Sequence, residues 1–215
     1  MANIIQINQY KNRKEMKAMF DKLIEELKDN KKNNHQYSLS EINEIAVDIL
    51  TQLGYYPKNS SIPIVKIARE FGFRTYKENL TKGLSGDIYI NGNTENEYGN
   101  DKIILVNKKD ELYHQRFVVA HELAHYLFDF LGDDKYSDKT IKFSDTYHKN
   151  KHETPSELRA NLFAAAILMP ESLFIDQYNR AKSIDRNRMF VIMYLSRFFE
   201  TTIESIEKRI VEVLR

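Results

Sequence analysis

Cysteine is absent from this 215-residue chain, which excludes a disulfide scaffold, a thiolate metal site and a cysteine nucleophile. An excess of either charge is missing too. Lys and Arg total 32 and Asp and Glu 31, a formal net charge of +1, so bulk charge makes no case for binding nucleic acid or a membrane. No apolar run approaches the length of a membrane span. The opening residues, Met1 to Asn8, are broken by polar side chains too often for the apolar core of a signal peptide, and the expected location is the cytoplasm. What remains is an ordinary globular composition, 42% hydrophobic and 29% charged. The length suits one large domain, or one domain with an appendage.

The stretch that organises the rest is Arg116-Phe117-Val118-Val119-Ala120-His121-Glu122-Leu123-Ala124-His125-Tyr126. It has no Gly or Pro and reads as a helix. Residues four apart share a helix face, so His121 and His125 can offer two imidazole nitrogens to one tetrahedral ion. Glu122 lies about 100° round the axis, off the ion but within reach of a water beside it. Two nitrogen donors, a third ligand from elsewhere, an open fourth position and a nearby carboxylate are what metal-assisted hydrolysis needs. By chance alone, His-Glu-x-x-His should arise in about one such chain in a hundred. The plainer alternative is a pair of histidines packed in a core helix.

Along the chain, Met16, Met19, Phe20, Leu23, Ile24 and Leu27 form one apolar stripe on a charged helix over residues 11–29, followed by a polar linker. This is a partner-docking helix or, preferably, a terminal helix folded onto the body. Ser40 is expected to cap a helix carrying Ile42, Ile45, Ala46, Ile49, Leu50 and Leu53, with Gly54 as its stop. Pro63 opens a second helix, through Phe71, that ends at Gly72. Phe73–Tyr76, Gly86–Ile90 and Lys102–Val106 read as strands, with Asn91-Gly92-Asn93 as a turn. The order predicts an α+β fold in which a small antiparallel sheet packs with the His-Glu-x-x-His helix and a second ligand-bearing helix. The expected divisions are 1–36, an amphipathic helix and linker; 37–172, the main domain; and 173–215, a helical segment packed on it. The segment from Gly132 to His152 reads as a polar loop, and His148 and His152 within it as solvated rather than ligating.

Thr154 and Pro155 start another helix, rich in small residues and closed by Pro170. Glu157 and Asn161 share one of its faces. The spacing Thr154-x-x-Glu157 is also a capping box, so the residues alone leave Glu157 open between cap and ligand. A metzincin third histidine is excluded, because position 131 is Leu.

His121-Glu122-Leu123-Ala124-His125 after Arg116-Phe117-Val118-Val119-Ala120, with Glu157-x-x-Ala160-Asn161-x-Phe163-Ala164-Ala165-x-x-Leu168-Met169-Pro170 downstream, resembles the ImmA/IrrE family of metallopeptidases. The likeness runs from about Ser38 to Pro170, more loosely on to the end of the chain, and includes Gly83-Leu84-Ser85-Gly86 and a strand ending in Asn107. Ala124 stands where many members have Gly, a change a helix interior tolerates. The resemblance implies a gluzincin-like zinc (Zn2+) peptidase: His121, His125 and Glu157 as ligands, Glu122 as general base, and Asn161 supporting a ligand by a hydrogen bond. It also implies a protein substrate, a helix-turn-helix repressor of a mobile element or stress response. A non-catalytic zinc-fold regulator that binds such a partner without cutting it would use the same residues. An oxyanion helper is sought in the 133–152 loop, with Tyr147 and His148 as the candidates, and Gly86–Ile90 is the expected edge strand for an extended substrate.

Beyond Pro170, Met189 to Phe199 and Ile203 to Leu214 outline two helices about a short turn. A DNA-binding reading is possible for this outline. A hairpin covering the core is preferred, because the charges gather into no basic face.

Overall fold

The computed structural model describes residues 2–56, 61–90, 98–132, 141–146 and 154–214. Helix α1 spans Ala2–Lys32 and lays the later part of its stripe on the body, while Met19 stays exposed. Leu23 and Leu27 are buried there, and the Phe20 ring meets Phe71 edge-on at 5.2 Å. Helix α2, Leu39–Gln52, is capped two residues earlier than expected: Ser38, not Ser40, fills the N-cap. Its hydroxyl accepts the Glu41 N–H at 3.3 Å and the Glu41 carboxylate accepts the Ser38 N–H at 2.7 Å. A reciprocal pair satisfies two amides, whereas Ser40 has no Glu or Gln three residues on. Helix α3, Ile64–Glu70, follows Pro63 and ends at Gly72, whose φ of +89° only glycine adopts easily.

The strands are β1 (Arg74–Glu78), β2 (Leu84–Ile90), β3 (Lys102–Asn107) and β4 (Ile141–Thr146), in the order β1-β3-β2-β4. The fold is α+β, as expected, but the sheet is mixed rather than antiparallel. Chain direction alternates through β1, β2 and β3, and β1 lies beside β3, so that pair runs parallel. The β2–β3 and β2–β4 pairs are antiparallel. Two expectations change with this order. Gly86–Ile90 belongs to an interior strand, because β4 occupies its outer side, and the segment after Gly132 contains a strand rather than only a loop. The turn Asn91-Gly92-Asn93 lies outside the described residues.

Helix α4, Leu112–His125, packs on β2 and β3 and continues into a π-helical turn, Tyr126–Phe130. Helix α5, Pro155–Leu168, lies against both α4 and α2. Ala160, Ala164 and Ala166 are fully enclosed there, and their small side chains let the neighbouring helices come close. Helices α6 (Glu171–Ile184), α7 (Arg188–Phe199) and α8 (Ile203–Val213) complete the described fold. One hydrophobic cluster runs from Leu23 in α1 to Ile206 in α8. The α7–α8 pair covers the core with Val191, Ile192, Leu195, Phe199 and Ile206. A wholly buried Arg209 holds α8 in place, its guanidinium donating to the Met169 carbonyl at 3.2 Å and the Asn43 side chain at 2.7 Å. Among the described residues, no single helix is long and apolar enough to cross a membrane.

Candidate metal centre

Three side chains from two helices meet at one point. The Nε2 atoms of His121 and His125 stand 3.0 Å apart. The Glu157 carboxylate approaches them at 3.3 and 3.5 Å. This convergence follows from local structure. One helical turn on α4 stacks the two imidazoles, and the small residues of α5 bring its first turn across them. Thr154 caps α5 through its hydroxyl, which accepts the Glu157 N–H at 3.2 Å, while the Glu157 side chain faces the imidazoles.

The opposite ring nitrogens define the chemistry. His121 Nδ1 lies 3.0 Å from the Asn161 side-chain oxygen, and His125 Nδ1 lies 2.8 Å from the Asp129 carboxylate. Both partners are acceptors, so in the neutral rings the proton sits on Nδ1 and the Nε2 lone pair points inward. Two lone pairs and a carboxylate then face one another, an arrangement that a cation completes. Ligand atoms about 2.0–2.1 Å from a tetrahedral divalent ion stand roughly 3.3 Å apart. The two nitrogens stand 3.0 Å apart, Glu157 Oε2 lies 3.3 Å from His121 and Oε1 3.5 Å from His125, so a carboxylate oxygen is at hand to complete such a donor set. Among the described residues this His-His-Glu group is the cluster able to hold a metal.

Asp129 carries a second layer of order that the motif does not advertise. It accepts the Ser156 hydroxyl at 2.7 Å and pairs with the Arg159 guanidinium. Burial pushes its carboxyl upward, but the bonds from His125 and Ser156 and the charge of Arg159 outweigh this and hold it below the ordinary aspartate value. The π-helical turn that carries it spaces its hydrogen bonds more widely, Leu131 N–H reaching the Tyr126 carbonyl at 2.8 Å. The sequence signal for Asp129 is its place four residues after His125, on the same face of the same helix.

Glu122 is buried, 1% exposed, on the side of α4 that faces β2. Gly86 of β2 passes so close that a Cβ there would lie 2.7 Å from a Glu122 carboxylate oxygen. Glycine at this position keeps room for the carboxylate beside the His-His-Glu group. The structure thus gathers His121, His125 and Glu157, sets Asn161 behind His121, and holds Glu122 alongside. Tyr147, His148 and His152 lie outside the described residues.

Residues 68–211, about two thirds of the 215-residue chain, match the peptidase family described as the IrrE N-terminal-like domain. The chain belongs to this family. The match begins later than Ser38 and runs past Pro170 into α8. Two IrrE relatives share 78-residue stretches with it. The radiation response metalloprotease IrrE of Deinococcus radiodurans is 37% identical over 36% of this chain and 22% of its own length. That of Deinococcus deserti is 38% identical over 36% of this chain and 26% of its own length. The chain therefore aligns with about a quarter of the length of these IrrE proteins. At family level the chain is metalloprotease-like, with a triad able to bind a divalent ion.

Proposed function

We propose that the chain is a zinc-dependent endopeptidase. The observation that carries this reading is the triangle of two imidazole nitrogens and one carboxylate, with a buried Glu alongside it. Two imidazole nitrogens and a carboxylate suit zinc and leave a fourth position for a reactant. When bound, zinc supplies Lewis acidity toward the scissile carbonyl and lowers the pKa of water to about 7. His121, His125 and Glu157 would hold it. Asp129 and Asn161 keep both imidazoles in the required tautomer and orientation. Glu122 takes the proton of the attacking water and delivers it to the leaving amine. The cytoplasm is the proposed location. The proposed substrate is a helix-turn-helix repressor, an assignment that rests on the family resemblance.

The test is incubation with a repressor encoded beside this gene, followed on a gel with and without chelator. Cleavage by the wild type, lost with chelator and in Glu122→Gln that still binds zinc, is the expected result. Full cleavage by Glu122→Gln would remove the assigned base. A repressor that binds but stays intact would replace hydrolysis by a binding regulator.

A further inference from the structure

A groove of about 480 Å³ opens beside the metal-binding group, between α4, α5 and α8. His114, Phe117 and Asn161 line both this groove and the narrow cleft that reaches His121 and Glu122, so the two spaces adjoin. We propose that the groove receives the substrate side chain next to the scissile bond and selects an apolar one. This rests on the peptidase reading of the neighbouring site.

The walls are built by helix periodicity. On α5, Glu157 and Asn161 turn toward the imidazoles, while Leu158, Leu162 and Ala165 follow at spacings of four and three and turn toward the groove. Phe117 of α4 completes an apolar floor. Leu158 remains 48% exposed in a helix whose later turns are almost wholly enclosed. An uncovered leucine at the lip of a cleft gains its contacts when an apolar side chain fills the space. The opposite wall is polar. Thr202 and Ser205, whose hydroxyls lie 2.9 Å apart, stand at the start of α8, with Lys208 paired to Glu204 at 3.2 Å one turn on. Lys109, Asp110, Glu111 and Glu212 also line the groove, and an apolar floor facing polar and charged residues suits an extended peptide, with its side chain on the floor and its amides toward the polar groups. The volume accommodates a short segment, not a folded domain. Arg209, buried between α8, the Met169 carbonyl and Asn43, keeps the polar wall at a set distance from the floor.

The test separates binding from cutting. A randomised decapeptide library is passed over immobilised, zinc-loaded Glu122→Gln protein, and retained peptides are sequenced by mass spectrometry. Retained peptides should be enriched at least ~10-fold in Phe, Leu or Met at one position, the scale of discrimination an apolar pocket achieves. Leu158→Ser should erase most of the enrichment, and Ala165→Leu should exclude Phe first. If Ala165→Leu does not fold, the half-exposed Leu158 still carries the test. A library that is not retained, or is retained without apolar enrichment, or shows the same enrichment in both variants, overturns the proposal. Wild-type protein is assayed for cleavage in parallel. Enrichment without cleavage supports the groove and sinks hydrolysis, whereas cleavage without apolar preference sinks the groove and leaves hydrolysis standing.

Discussion

Gly86→Ala is a methyl-sized probe of how β2 and α4 fit together. The added Cβ would meet Val118 Cγ1 at 2.4 Å and a Glu122 oxygen at 2.7 Å. Carbon atoms rest at about 3.5–4.0 Å, so something must move by roughly 1 Å. Val118 is 6% exposed and β-branched on a helix, which leaves it one strongly preferred rotamer and little space to turn. The strand shifts, the Glu122 side chain swings away, or both occur. Overpacking of this kind costs about 1–3 kcal/mol, or a fall of roughly 2–12 °C in melting midpoint for a chain this long. Displacing a proton-transfer group by about 1 Å is enough to slow a reaction on the order of 10²-fold. Zinc content should stay stoichiometric, since Glu122 is not among the three converging donors. Thermal melts, elemental analysis and peptide cleavage on one preparation read all three effects. Wild-type stability and full cleavage in Gly86→Ala would refute the packing argument and the placement of the base together.

Other substitutions divide the centre further. Thr154→Ala should cost about 1 kcal/mol of stability and leave zinc affinity unchanged, whereas Glu157→Ala should abolish stoichiometric zinc; equal effects in a zinc titration would mean that Glu157 acts only at the helix end. Asp129→Asn should weaken zinc binding about 10–100-fold, because the His125 ring loses its charged anchor, and unchanged affinity would remove that role. The Ser38 amide and hydroxyl and the nearby His35 pull the Glu41 carboxyl from 4.5 down to about 2. A depressed carboxylate stabilises the fold above its unfolded value and loses that contribution as pH falls through the folded one. Melting midpoints should therefore drop between pH 4.5 and about 2, and Glu41→Gln should flatten that slope; identical slopes would exclude the capping box as its source.

The His-Glu-x-x-His helix is legible in the sequence because one turn of periodicity carries its whole geometry. Helices α2 and α3 are legible for a similar reason, from apolar spacing closed by Gly54 and Gly72. Pairing between strands is not local. The alternating residues of β2 mark a strand, but nothing in them says that β3 and β4 flank it, so an edge and an interior strand read alike. Strand β4 is harder still, since Ile141 and Phe143 are its apolar residues within a stretch of Lys, Asp and Ser. Glu157 illustrates the limit for the centre itself. Its spacing from Thr154 fits a capping box, and only the packing of α5 across α4 turns its carboxylate to the imidazoles. Arg209 gives no signal at all: a basic residue on an amphipathic helix reads as solvated, yet it lies buried against a carbonyl 40 residues away.

The three converging donors are divided between two helices, and this has a temporal consequence during synthesis. Glu157 is translated 32 residues after His125, which is about 2–6 s at ordinary elongation rates. Throughout that interval the nascent chain carries the two imidazoles without the Glu157 carboxylate that meets them in the fold. The three-donor set thus cannot assemble until α5 emerges from the ribosome, and a product released before residue 157 would lack its third member.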